Sequence, residues 1–362
     1  MDFLSEYLKV INRSIPNNYK DNWDYNRYGP EPRESLKQKT SQFFRKQLHK
    51  RGFFNLHYFV NNLPDVFKFK YLFDNLETQE DKELLLQLIA YKWLGYRKVK
   101  LPLNTPQYWE KLDQIGKLAD KADVLSLSFN NSSINKFNLT PLGYPIQLYF
   151  SPLGIMIDFI IKQYEYKKGN NLIKIEQGDT VIDAGGCWGD TALYFANEAG
   201  NSGKVYSFEF IPGNITVFEK NTSLNTALND RIVLVNRPVW KDSSTKVYFK
   251  DRGPGSRVEM ESFDGQDGEC VTLSIDDLVT QKGLDRLDFI KMDIEGAETT
   301  ALQGAENAIK KFKPKLAIAL YHSIDDFERI PKLIKGMVPG YKFYFSHCTI
   351  FGEESMLFAK VD

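Results

Sequence analysis

Cysteine is scarce in this 362-residue chain, histidine nearly so, and no net charge survives: three cysteines, four histidines, and 47 Lys+Arg against 47 Asp+Glu. Each shortage excludes something. Cys187, Cys270 and Cys348 have no paired spacing, which argues against a disulfide framework or a zinc site and suits reduced thiols in a cytoplasmic protein. A balanced charge creates no global field to draw in nucleic acid or an acidic membrane. The opening residues, MDFLSEYLKVINRS, lack a basic segment followed by an apolar one, so no signal peptide is expected. No stretch approaches about 18 uninterrupted apolar residues, so no membrane span is expected. Internal repeats and low-complexity tracts are also missing.

What is present divides near residue 136. The first forty residues are polar, aromatic and proline-punctuated (YGPEPRE) and read as an arm. From Ser41 to about Asp123 the pattern reads as mainly helical. One helix opens at Thr78, where TQED matches a capping box with Asp81 in place of glutamate, and stops at Gly95. Another runs over 108–118. Residues 1–136 are therefore expected to be a mainly helical region, suited to contacts with substrate or a second copy of the chain.

Residues 137–362 read as an α/β domain. Two short β-like runs and a helix precede seven candidate strands, at 180–184, 204–208, 232–235, 289–292, 316–320, 341–346 and 356–360. Helical patterns fall between them at 191–199, 215–224, 297–311 and 327–335. That alternation predicts a mostly parallel sheet covered on both faces. The last two strands are joined by HCTIFGEES, too short for a parallel crossover, so the final strand is expected to be antiparallel. An insertion over 241–275 carries two β-like runs around a Gly-, Asp- and Ser-rich loop. It reads either as a surface hairpin or as a lid over substrate.

The chemistry-bearing segment is VIDAGGCWGDTALYFANEAG, Val181–Gly200. Its turn reads D-x-G-x-x-x-G through Asp183, Gly185 and Gly189, not the G-x-G-x-x-G of dinucleotide binders. Glycines there either let a ligand approach the backbone or serve packing. Glu209, 24 residues after Gly185, ends the next strand, where a carboxylate can accept both ribose hydroxyls. Asp183 and Asp190 bracket the turn. They oppose a diphosphate and suit an ammonium group, which favours S-adenosylmethionine as the cofactor.

Four motifs in order, GDTVIDAGGCWGDTALYFA, GKVYSFEFIPGN, DFIKMDIEGAE followed by LQGAENAI, and KPKLAIALYH, resemble the FkbM-type methyltransferases. The helical stretch DNLETQEDKELLLQLIAYKWLG also resembles the extension of bacterial members. The resemblance covers roughly residues 137–362. It implies a class I methyltransferase fold, Rossmann-like, with seven strands, and O-methylation by S-adenosylmethionine of a sugar, polysaccharide precursor or polyketide-type hydroxyl. The cofactor-binding set becomes Asp183, Gly185, Gly186, Trp188, Gly189, Asp190, Thr191, Glu209, Phe210, Asn236 and Asp293. Cys187 and Trp188 occupy variable positions of the loop, and Phe210 either stacks on adenine or belongs to the core.

Methyl transfer to a hydroxyl needs a base at the carboxyl edge of the sheet. KMDIEGAE places Asp293 and Glu295 there, and LYH ends the fifth strand with His322. His322 with Asp293 or Glu295 is the expected catalytic constellation, although the two acids also suit a helix N-terminus. A divalent ion on the same residues ranks below metal-free base catalysis. His49 and His57 read as structural or surface residues. Tyr144, Tyr149 and Phe150 either stack on a sugar ring or fill the core. Two rival readings stand: a nicotinamide-linked oxidoreductase or epimerase, and a nucleoside-binding module without turnover.

Overall fold

Seven strands form the central sheet: β1 (Thr180–Ala184), β2 (Lys204–Phe208), β3 (Ile232–Val235), β4 (Phe289–Met292), β5 (Lys315–Ala319), β6 (Lys342–His347) and β7 (Ser355–Lys360). The structure is a computed structural model, and it describes residues 2–23, 25, 29–31, 63–129 and 132–362. The spatial order is β6-β7-β5-β4-β1-β2-β3. Every neighbouring pair from β5 to β3 is parallel, and β7 lies antiparallel between β5 and β6. The order reverses at β1, where the chain goes to β2 on one side and β4 on the other. Such a switch point leaves a crevice beyond the carboxyl ends of the strands.

Strand residues alternate between two cores because successive side chains point to opposite faces. Ile182, Ile290 and Ile318 pack beneath helices Phe3–Ser14, Gln79–Leu94 and Asp326–Met337. Val181, Phe289 and Ala317 face helix Asp190–Ala199 and the aromatic cluster of Tyr144, Phe159 and Tyr194. Both faces are buried, which explains why the parallel strands read as apolar runs.

The helix at Thr78 forms as expected: Thr78 accepts from the Asp81 amide at 3.1 Å, and Gly95 ends it with φ of 79°. Asp81 does not complete a capping box. Its fully buried carboxylate accepts from Tyr166 Oη (2.9 Å), Lys168 Nζ (2.7 Å) and the Phe345 amide (3.0 Å). One side chain thus ties the N-terminal helix to the hairpin Tyr166–Lys168/Asn171–Ile173 and to β6. Nearby, the Glu77 amide donates to the Phe343 carbonyl at 3.0 Å, extending the sheet edge.

Three expectations change. Residues from 119 onward are not helical: Ala119–Ser126, Ser133–Asn138 and Gln147–Phe150 form a three-stranded antiparallel sheet. ADKADVLS offers no apolar helical stripe, and long-range pairing with the buried Ile134 and Phe137 decides its state. The division expected after residue 136 falls inside the middle strand. The helix expected over 297–311 breaks into Glu298–Gln303 and Glu306–Phe312, because the chain at Trp240 passes against Gly304. A Cβ on Gly304 would lie 2.1 Å from the Trp240 carbonyl. The 241–275 insertion holds three strands, with Lys246–Phe249 between Val258–Glu259 and Gly268–Val271. The helical stretch expected at Ser41–Leu63, with His49 and His57, lies almost wholly outside the described residues.

Candidate active site

Beyond the carboxyl ends of β1, β2 and β4 a narrow cleft runs into a larger cavity. The cleft is walled by Glu209, Phe210, Asn214, Pro238 and the insertion residues Gly253, Pro254 and Ser256. The cavity, about 440 Å³, is lined by Phe150, Asp158, Tyr164, Trp188, Asp190, Tyr321 and Glu354 among others. The two share Gly185, Cys187, Pro254, Asp293 and Glu295. The insertion therefore supplies a wall of the cleft.

The backbone is strained where the two spaces meet. Among the described residues five non-glycines have positive φ, and three of them line this region: Cys187 (42°), Glu295 (57°) and Glu354 (59°). Such conformations cost on the order of 1–3 kcal/mol each and persist where surrounding contacts over-determine them.

The glycines of the first turn are explained by the protein's own atoms. Gly185 has φ of 92°, and a Cβ there would sit 2.0 Å from the Asp293 carbonyl oxygen. Gly186 abuts Ser207 Oγ and Gly189 abuts the Phe218 ring. Only Gly185 reaches the site; Gly186 and Gly189, expected to hold cofactor, do not line it. Close packing of the turn against Ser207 on β2 and Phe218 on helix Pro212–Ser223 requires them instead.

Asp183 also departs from expectation. It is fully buried, 3.1 Å from Lys291 Nζ, and its other oxygen accepts from Ser207 Oγ (2.7 Å) and Thr191 Oγ1 (3.0 Å). Lys291 in turn donates to the Gly185 carbonyl at 2.6 Å. An Asp183 so occupied is not available to an ammonium group. Asp190 is: it lines the cavity, is buried, and its Oδ1 has no hydrogen-bond partner. Thr191 and Trp188 line the same cavity, with Trp188 Nε1 donating to Asn214 Oδ1 at 3.1 Å.

Glu209 stands at the end of β2 as expected. Oε1 accepts from the Phe210 and Ile211 amides at 2.7 and 2.8 Å and Oε2 from Asn214 Nδ2 at 3.2 Å, with the Cys187 backbone amide also facing the carboxylate. Burial raises its pKa to about 7 against the lowering effect of those donors. Phe210 faces the cleft, edge-on to Phe249. Asn236 is exposed and outside the cleft; the next three residues, Arg237, Pro238 and Val239, form that wall.

At the β4–β5 rim, Asp293 accepts from Tyr164 Oη (3.0 Å) and Tyr321 Oη (2.9 Å). Burial lifts both phenols well above their ordinary pKa, so they remain neutral donors. Glu295 is held nearby, 3.4 Å from Arg257, with its pKa raised by burial. His322 is not at the cavity surface. It sits behind the two acids, with Nδ1 2.9 Å from Glu298 Oε1 and Nε2 3.6 and 3.7 Å from Asp293 and Glu295. Burial opposes its charge, but the three carboxylates prevail and lift the pKa to about 9. An imidazolium cannot accept a proton, so His322 is not the base expected of it. Asp293, Glu298 and His322 also have the donor set and closeness for a cation.

Of the aromatics proposed for sugar stacking, only Phe150 reaches the cavity. Tyr144 donates to the Phe159 carbonyl and Tyr149 to Asp123. The sequence reading missed Asp158, Tyr164, Lys291, Tyr321 and Glu354. Tyr321 and Lys291 lie inside quoted motifs and were legible by adjacency. Asp158 and Tyr164 come from a segment before the sheet, and no local pattern marks them.

A seven-stranded sheet in this order, with its reversed final strand and a carboxylate at the end of β2, is that of the Rossmann-like methyltransferases. Residues 170–345 match the family model described as the methyltransferase FkbM domain. This part of the chain, just under half of it, is similar to the domain of the FkbM methyltransferases. Among solved structures, methyltransferase FkbM from Methylobacillus flagellatus KT is similar with a TM-score of 0.50 and 19% identity. The match covers 83% of this chain and 59% of that one, so this chain spans well under two thirds of its length. Weaker likenesses include Aeropyrum pernix fibrillarin in complex with natively bound S-adenosyl-L-methionine (TM-score 0.37, 13% identity, 66% of this chain and 99% of that). Another is the O-methyltransferase from Bacillus cereus in complex with SAH (TM-score 0.34, 11% identity, 70% and 91%). No curated protein matches the sequence. Among the described residues no helix is long and apolar enough to cross a membrane.

Proposed function

We propose that this chain is an S-adenosylmethionine-dependent methyltransferase that acts on a hydroxyl oxygen, with a sugar or another polyhydroxylated compound as acceptor. The observation that carries the reading is the junction of cleft and cavity at Gly185, Cys187, Asp293 and Glu295. A nucleoside placed in the cleft brings its reactive end to a second, larger space walled by aromatic rings and carboxylates. A cavity of this size suits a small-molecule ligand.

The residues fit that cofactor. Glu209 Oε2 has capacity left for ribose hydroxyls, Phe210 presents a ring to the cleft, and Asp190 Oδ1 is an orphaned acceptor at the far side. A dinucleotide fits poorly, because Asp190 stands at the start of the helix where phosphates would bind. When bound, S-adenosylmethionine supplies an electrophilic methyl group on a sulfonium.

The remaining work falls to this chain. Glu295 accepts the proton of the acceptor hydroxyl: it lines both spaces, and its raised pKa makes it a stronger base than an exposed glutamate. Asp293, fixed by Tyr164 and Tyr321, orients the acceptor and excludes water. The His322 imidazolium is a positioning residue that offsets the charge of Asp293, Glu295 and Glu298. Phe150, Trp188 and Tyr321 offer faces on which a sugar ring stacks.

Calorimetric titration with S-adenosylhomocysteine and with NAD tests the cofactor. Binding of the first and not the second is expected, and the opposite result would overturn the reading. Methyl incorporation from labelled cofactor into a panel of neutral sugars, amino sugars and phenols then tests the acceptor. Transfer to nitrogen alone would remove the hydroxyl assignment.

A further inference from the structure

Behind the cavity, two carboxyl groups are buried side by side. Asp158 comes from Met156–Ile161, a π-helical turn that ends in a left-handed Lys162 (φ 60°), and Asp190 comes from the first turn after β1. Each is less than 8% exposed, both line the cavity, and their side chains are within hydrogen-bonding reach of each other. Asp190 Oδ1 has no partner.

Two such carboxylates cannot both be ionised without a cation or a shared proton. The nearest cation is Lys291 on β4, and it is already committed to Asp183 on β1 and to the Gly185 carbonyl. The other ionisable groups facing the pair are Asp183, Cys187 and Glu354 in the β6–β7 turn, the last accepting from Gln163 Nε2 at 3.0 Å. Across the cavity stand Tyr164, Tyr321, Asp293 and Glu295. Among the described residues, no uncommitted positive charge faces the pair where the orphaned oxygen points. π-Helical turns are rare and often mark functional positions.

We propose that Asp158 and Asp190 together form the seat of an alkylammonium group, that of the amino-acid tail of the cofactor. This rests on the cofactor reading above and adds Asp158, which lies before the matched family domain. In the unliganded protein the pair holds one proton, Asp158 donating to Asp190. Both carboxyl pKa values are raised, Asp190 to about 6, with burial the leading cause. When the ammonium docks, its N–H groups donate to both carboxylates and the shared proton leaves to solvent. Binding is thus coupled to proton release, and affinity for an ammonium-bearing ligand increases as pH rises through about 6.

The test compares S-adenosylhomocysteine with 5′-methylthioadenosine, which keeps the nucleoside but lacks the amino-acid tail. Glu209 touches the part common to both, so its titration cancels in the ratio of their affinities. Asp158→Asn is expected to weaken S-adenosylhomocysteine at least tenfold and leave methylthioadenosine within twofold. In the wild-type protein, calorimetry in buffers of different ionisation enthalpy near pH 6 is expected to show more proton release for the first ligand than for the second, the shared part at Glu209 being common to both. This measurement holds even if the variant does not fold. Equal effects on both ligands, or equal proton release, would overturn the ammonium seat while leaving the cofactor reading intact. Binding of neither ligand would overturn the cofactor reading itself and the seat with it.

Discussion

Asp183 and Lys291 are register partners on adjacent parallel strands, and their charges meet 3.1 Å apart with essentially no exposure to solvent. The pair lies directly beneath the turn that walls the candidate site. Through its bond to the Gly185 carbonyl, Lys291 also fixes the left-handed glycine at which cleft and cavity join.

Removing one member of that pair strands the other. Lys291→Met is expected to destabilise the protein by about 3–5 kcal/mol, because Asp183 keeps a buried charge without its counter-ion. Asp183→Asn combined with Lys291→Met is expected to cost less than the single lysine variant. Urea denaturation of the three proteins checks this. A double variant as unstable as Lys291→Met would show that the ion pair is not the source of the loss.

Glu209→Ala should weaken S-adenosylhomocysteine by at least tenfold while shifting the melting temperature little. The carboxylate is desolvated and only partly satisfied at Oε2, and its removal relieves burial as well as losing acceptors. Unchanged affinity would move the nucleoside out of the cleft.

Glu295→Gln is expected to lower kcat by roughly 10²–10⁴ with a smaller change in KM, the effect of removing a positioned base. Asp293→Asn should raise KM as well, because it also disturbs the two tyrosine hydrogen bonds that shape the acceptor space. Steady-state kinetics on any accepted sugar separates the two. A Glu295 variant with full turnover would transfer the base role elsewhere.

His322 contributes to stability with a defined sign. Its folded pKa, about 9, lies above the unfolded 6.5, so its contribution is complete below 6.5 and is lost as pH rises through 9. The pKa difference corresponds to roughly 3 kcal/mol as an upper figure. His322→Gln should therefore be clearly less stable than wild type at pH 6 and nearly equal at pH 10. A gap that stays constant with pH would mean the imidazole is neutral in the folded protein.

Asp81→Ala should loosen the N-terminal helix from the sheet. Tyr166, Lys168 and the Phe345 amide would all lose their acceptor, a loss of about 3 kcal/mol or more for a buried, charge-assisted network. Hydrogen exchange localised to 79–94 and to β6 would read it. Protection unchanged in both segments would rule out the clamp.

By itself the amino-acid sequence determined the elements whose cause is local. The strands at 180–184, 204–208, 232–235 and 289–292 and the Thr78 cap follow from apolar runs, turn residues and a hydroxyl at the right position. The reversed final strand follows from a connection too short to cross over. Tertiary structure decided what depends on neighbours distant in the chain. It occupied Asp183 with Lys291 and set His322 among three carboxylates, which turns a proton acceptor into a fixed charge. It also carried Asp158 from a π-helical turn to the side of Asp190. Burial and the distance to an opposite charge set the protonation of such groups, and neither quantity is written in the spacing of residues along a chain.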